Sequence, residues 1–249
     1  MNAIRLGILQ VYHDKSEIIG DRFPDDAHRF RDLFDRLDQR FRYRVYMTMG
    51  GVLPDTLDEQ DAYLITGSPE SVCSEPAFLP SLVRFIRACD AARKPLIGVC
   101  FGHQAIACAL GGRVEKATTG WNIGVETTIY RQAPPRVWMD PPGDLDLYVF
   151  HEDQVTRLPE GCELLGTSLR NPFASFARGD HIFTTQSHPE FDAGFMSALL
   201  DLERDGLGQA VHDAARDSMK REPQGDIFAE WCCRLICQNL AGRRRKRAA

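Results

Sequence analysis

Gly98-Val99-Cys100-Phe101-Gly102-His103-Gln104 stands between an apolar run, residues 95–99, and a segment of helical composition, residues 105–110. Strand, sharp turn and helix in that order put Cys100 at the crest of a G-x-C-x-G elbow. Flanking glycines permit a strained turn, lift the side chain above a sheet and leave backbone N–H groups of the helix start facing the reacting atom. The positive end of that helix also favours a thiolate. A buried core cysteine fits the same pentapeptide, because free cysteines are among the most buried residues. A second element has to decide.

Working outward, residues 4–11 form a continuous apolar run that reads as a buried strand, and residues 24–40 space Ala27, Phe30, Leu33, Phe34 and Leu37 as a helix does. Residues 43–47 and 62–66 are further strands, the latter ending at Gly67-Ser68-Pro69, and residues 77–92 repeat Phe78, Leu82, Phe85, Ile86 and Cys89 at helical spacing. This alternation implies an α/β fold: an open, mostly parallel sheet with helices on both faces and ligand sites beyond the C-terminal strand ends. After Gly111 the pattern changes to short apolar runs at 125–130, 145–150, 164–168, 173–177 and 182–185, with Pro134-Pro135 and Pro141-Pro142-Gly143 between the first two. These imply antiparallel strands added at one sheet edge. Residues 191–202, 209–221 and 226–240 read as closing helices. With no internal repeat or low-complexity linker, residues 1–240 are expected to form one domain, followed by a solvated basic tail at 241–249.

The chain has 249 residues, of which 43% are apolar and 26% charged, enough to support a sizeable core and to exclude disorder as its main state. A net charge of -5 argues against a nucleic-acid surface, the one basic run being Arg243-Arg244-Arg245-Lys246-Arg247. No signal-peptide pattern and no apolar window of membrane-spanning length are present, so a cytoplasmic protein that makes no membrane contact is expected. The eight cysteines show no C-x-x-C spacing; most are expected to be reduced and buried. Cys233 and Cys237 share a helix face but lack further ligands, so core packing is the better account and no metal is expected.

The deciding element is Thr185-Gln186-Ser187-His188-Pro189-Glu190-Phe191, which follows an apolar strand and precedes a helix. Alone, His188 fits a satisfied polar histidine as well as a general base. Beside Cys100 it completes a nucleophile–base pair, and the carboxylate of Glu190, two residues on, can orient its second ring nitrogen. The chain order, Cys then His then an adjacent Glu, differs from that of the α/β-hydrolases.

In these motifs the chain resembles the class I (triad) glutamine amidotransferases, in particular the free-standing relatives of the GMP synthetase glutaminase domain, over residues 4–200. The resemblance implies the flavodoxin-like fold of that family and hydrolysis of a γ-glutamyl amide through a thioester on Cys100, with His188 as base and acid and Glu190 orienting it. It implies an oxyanion hole from the Phe101 N–H and the Gly67-Ser68-Pro69 loop, where the family has Gly-Gly-Pro. Gln104 matches a position that contacts bound glutamine, and His151-Glu152-Asp153-Gln154-Val155 resembles the segment holding the substrate's amino-acid end. A carboxylate such as Asp153 suits a free α-amino group. A surface position for Gln104, and strand-end turns for His151 and Asp153, remain open alternatives. Trp121 and Asn122 are candidates for the pocket lining, and Gly111-Gly112-Arg113-Val114 and Gly124-Val125 for architecture; His103 receives no role.

No cofactor is implied. The implied substrate is glutamine or another small γ-glutamyl compound. No G-x-x-x-x-G-K-[ST] loop is present, so any ammonia-accepting synthetase is a separate chain. Three functions stay open: glutaminase subunit, stand-alone γ-glutamyl peptidase, and non-catalytic binding or regulatory module.

Overall fold

Strand β1 (Ile4–Gln10) runs parallel to β2 (Phe41–Met47) on one side and β3 (Ala62–Ile65) on the other, with Leu6 opposite Tyr43 and Ala62. In this computed structural model, which describes residues 3–130, 136–139 and 143–248, β3 continues the parallel set to β4 (Leu96–Val99) and β4 to β11 (Ile182–Thr185). The intervening strands are β5 (Arg113–Lys116), β6 (Asn122–Tyr130), β7 (Asp144–His151), β8 (Asp153–Arg157), β9 (Glu163–Thr167) and β10 (Ser175–Arg178). Beyond β11 the sheet turns antiparallel, giving the order β2-β1-β3-β4-β11-β10-β9-β6-β7. The expected antiparallel edge is thus four strands wide. A separate antiparallel pair, β5 with β8, was not foreseen; its short, half-polar strands carry little apolar periodicity. Pro134-Pro135 and Pro141-Pro142 lie outside the described residues.

The period-two alternation of parallel strands sorts two cores. Ile4, Leu6, Ile8, Ala62, Leu64, Ile97 and Val99 face α1 (Asp26–Phe34) and α7 (Gly225–Ala248). Leu9, Tyr63, Ile65 and Leu96 face α2 (Leu79–Ala91) and α3 (Phe101–Ala109). Helices α4 (Ala193–Leu202) and α6 (Gln209–Ser218), joined through the short α5 (Arg204–Leu207), cover β6 and β7 with Met196, Leu200 and Ala215.

Three expectations change. Helix α1 stops at Phe34 rather than at residue 40, because the carbonyl of Arg40 already accepts the Ile4 N–H at the sheet edge and the residues between must cross to β2. The supposed tail does not start at 241: α7 runs to Ala248, and Arg243 fastens it by donating to the carbonyls of Ala92 and Arg93. Those carbonyls end α2, where a guanidinium is favourably placed. Of the eight unpaired cysteines only Cys89, Cys100 and Cys232 are buried, and Cys73 is exposed. Cys233 and Cys237 pack against the core from α7.

No helix among the described residues is long and apolar enough to cross a membrane.

Candidate active site

Parallel strands β3, β4 and β11 all end at the same edge, and the chain after each contributes to one constellation. Cys100 is the turn between β4 and α3. Its N–H donates to the Thr185 carbonyl at 2.9 Å and its carbonyl accepts from Gln104 N at 3.1 Å, so it belongs to the sheet and begins the helix. Between those bonds its backbone takes φ 50°, ψ -105°, a strained geometry that only an over-determined site maintains. The strain sits on Cys100 itself; the flanking glycines serve close approach. A Cβ on Gly102 would lie 2.5 Å from the Ile65 carbonyl oxygen, and one on Gly98 2.7 Å from the Gly102 oxygen. Helix α3 therefore packs directly onto β3 and β4, and the Phe101 N–H, first in the helix, has no intrahelical acceptor.

His188 follows β11 and is pinned through its backbone N–H to the Tyr148 carbonyl at 2.7 Å. Its ring Nδ1 meets Glu190 Oε1 at 2.8 Å, and the Glu190 side chain is fully buried. The ring lies flat on Phe191, with centroids 4.0 Å apart. Burial opposes charge on His188 most strongly, yet the carboxylate of Glu190 and the neighbouring Cys100 together outweigh it and push the imidazole up to about 10. Its ordinary value is 6.5, so the stability this charge contributes is complete below pH 6.5 and is lost as pH rises through about 10. The His188 ring resonances should therefore titrate near pH 10 in NMR spectra of the protein. In Glu190→Gln they should move well towards the ordinary histidine range; an unchanged titration would remove Glu190 as the cause.

Gly67, just past β3, closes the group. A Cβ there would fall 2.7 Å from His188 Cε1 and 3.6 Å from Cys100 Cβ, so no larger residue fits. Ser68 turns its hydroxyl to the Glu70 N–H at 3.0 Å, an ordinary local turn contact.

The remaining candidates lie beside this centre as a linked polar set. Gln104 is buried, not on a helix surface, and its amide donates to the Asp153 carbonyl at 2.9 Å and to Gln186 Oε1 at 3.1 Å. Asp153 opens β8 and accepts from the Ser71 hydroxyl. His151 ends β7 with Nδ1 3.0 Å from the Asp153 carbonyl; burial, with the charges of His188 and Arg170 adding to it, brings it down to about 4, so it is neutral. Asn122 touches its other nitrogen at 3.4 Å, while Trp121 packs edge-on against Phe150. His103 is buried against Thr184, and burial followed by His151 brings it down to about 3, so it offers no positive charge to the thiol.

Sequence reasoning missed the first turn of α1. Asp26 is held up to about 6 by burial, against the pull of Arg29, with Glu190 raising it further. Arg29 pairs with Asp26 and lies 3.8 Å over the Phe195 ring. The available signal was topological: β1 neighbours β3, so the segment after β1 must lie at the same sheet edge. A cavity of about 500 Å³ opens there, touching His188, Gly67, Ser68 and Pro69. No group of three or more metal-ligating side chains occurs among the described residues.

The family model "Glutamine amidotransferase class-I" matches residues 43–201. Gamma-glutamyl peptidase 2 of Arabidopsis thaliana is 26% identical over 248 residues, covering 96% of this chain and 97% of that protein. The glutamine-hydrolyzing GMP synthase of Thermosipho melanesiensis is 32% identical over 136 residues, 52% of this chain but 24% of that enzyme. The crystal structure of a glutamine amido transferase from Methylobacillus flagellatus superposes with a TM-score of 0.73 at 21% identity, over 97% of this chain and 96% of that one. With the family's match spanning the elbow of Cys100 and the His188–Glu190 segment, the chain belongs to the class I glutamine amidotransferases.

Proposed function

We propose that the protein hydrolyses the γ-amide bond of a γ-glutamyl compound through Cys100, His188 and Glu190. The observation that carries this reading is the strained Cys100 at a helix start, adjoining a histidine whose other nitrogen is bonded to a fully buried carboxylate at 2.8 Å. The Cys100 sulfur attacks the γ-carbonyl carbon, and the Phe101 N–H with an N–H of the Gly67-Ser68 loop holds the oxyanion. As the C–N bond breaks, His188 passes its proton to the departing nitrogen and the thioester remains. Water then adds to the thioester, giving its proton to His188; the C–S bond breaks and glutamate leaves with Cys100 restored. Gln104, His151 and Asp153 are assigned to the amino-acid end of the substrate, Asp153 receiving the α-ammonium.

The full-length likeness to a gamma-glutamyl peptidase supports a hydrolase that acts alone. A second reading, supply of ammonia to a separate synthetase, is favoured by the match to a GMP synthase. Glutamate release from a γ-glutamyl amide by the purified protein, absent in Cys100→Ala, supports the first. Silence towards every γ-glutamyl substrate without a partner overturns it.

Helix α7 sets the position of the histidine from behind: a Cβ on Gly225 would fall 2.1 Å from the Pro189 carbonyl oxygen. Gly225→Ala must displace Pro189 and with it His188, and kcat is expected to fall on the order of 10²-fold with the fold retained. A wild-type kcat with the same circular dichroism would show that Pro189 moves independently of the histidine.

A further inference from the structure

The cavity beside His188 is too large and too apolar for ammonia. Its volume is about 500 Å³, within the range of small-molecule sites. Gly67 and His188 belong to its wall, whereas Gln104, His151 and Asp153 do not. The space therefore begins at the group that must protonate the leaving nitrogen and lies apart from the residues assigned to the glutamyl end. Phe23, Phe191, Phe195, Leu199 and Leu202 supply an apolar wall, with Phe23 and Phe195 edge-on at 5.5 Å and Phe191 and Phe195 at 4.7 Å.

Its acidic side chains outnumber its basic ones. Four lining carboxylates, Asp14, Asp25, Asp26 and Glu203, outnumber the one lining guanidinium, Arg29; of the two lining histidines, His13 and His28, the second is bonded to Asp25 at 2.9 Å. That guanidinium is already committed to Asp26 and to the Phe195 ring. Tyr12, also in the wall, reports the same field: burial raises its phenol first, and the carboxylates of Asp14, Glu70 and Asp26 raise it further. A leaving group carrying a carboxylate would meet an excess of like charges, with the lining guanidinium already engaged.

We propose that this cavity receives the leaving amine of the reaction proposed above, and that it selects an apolar amine bearing no carboxylate. The inference rests on that reaction. It makes the preferred substrate a γ-glutamyl amide of a neutral or cationic apolar amine, rather than glutamine or an ordinary γ-glutamyl peptide.

Three substrates test it: γ-glutamylphenethylamide, γ-glutamylphenylalanine, which adds one carboxylate to the same ring, and glutamine. The expected kcat/KM for the phenethylamide exceeds each of the other two by about tenfold or more. Leu202→Asp, at a half-exposed wall position, should reduce the phenethylamide-to-glutamine ratio. Glu203→Lys should raise γ-glutamylphenylalanine relative to the phenethylamide. Equal kcat/KM for the phenethylamide and glutamine, or ratios that stay fixed in both variants, would overturn the assignment.

Binding separates this failure from failure of the underlying reaction. Phenethylamine titrated calorimetrically into Cys100→Ala should bind about tenfold more tightly than phenylalanine. That preference without glutamate release from any substrate would support the cavity and sink the hydrolase; release without the preference would do the reverse.

Discussion

Cys100→Ala is expected to lower glutamate release from γ-glutamyl substrates by about 10⁴-fold or more while leaving the folded protein intact. The substitution removes one sulfur atom from a residue whose structural work is done by its backbone, through the bonds to Thr185 and Gln104. Alanine meets the same strain at φ 50° as cysteine does, so the elbow should persist. The thioester, however, cannot form, and no nearby side chain replaces the nucleophile. Steady-state assays paired with urea unfolding check both halves: turnover near wild type would refute the assignment of Cys100, and a large loss of stability would make the activity result uninformative about chemistry. His188→Ala should be nearly as severe, because members of such a constellation act as a unit.

Glu190→Gln is expected to reduce kcat by about 10² to 10⁴-fold, with a measurable residue. Its carboxylate is fully buried and bonded to His188 Nδ1 at 2.8 Å. Glutamine keeps the shape but not the charge. It can present its NH₂ group to Nδ1, which reverses the ring tautomer and leaves the wrong nitrogen protonated towards Cys100. The lost charge also withdraws the main support for the imidazolium, while burial continues to oppose it. The measurement is kcat against pH alongside the histidine NMR titration. A mutant with wild-type kcat and a shifted titration would mean that charge on His188 is not limiting, and Glu190 would then be only a packing residue.

The second carboxylate near this centre, Asp26, is no substitute. It belongs to Arg29, and its proton is retained up to about pH 6 by burial.

Much of this was legible before folding. The run at residues 95–99, the elbow around Cys100 and the His188-Pro189-Glu190 segment each lie at a junction of strand and helix, and periodicity places such junctions well. Residues two apart in sequence, such as His188 and Glu190, have few ways to be distant. Periodicity also sorted strands β1, β3 and β4 into a parallel sheet, since their runs are apolar on both faces.

What sequence could not give was proximity between distant segments whose residues look ordinary. Gln104 matches a position that contacts glutamine in the family it resembles, but its place in the helix left a surface position equally open; it is buried because its amide reaches Asp153 and Gln186, from β8 and from the chain after β11. The pair β5 and β8 carries too little apolar pattern to announce itself. Asp26, Arg29 and the aromatic wall of the cavity come from α1 and α4 and the residues just before them, more than a hundred residues apart in the chain. They meet because β1 stands beside β3 and α4 follows β11, and that strand order is a consequence of packing two apolar faces at once. Local sequence was enough to single out Cys100, His188 and Glu190 as candidates; the space beside them came only from the packing of distant segments, because a cavity belongs to no single segment.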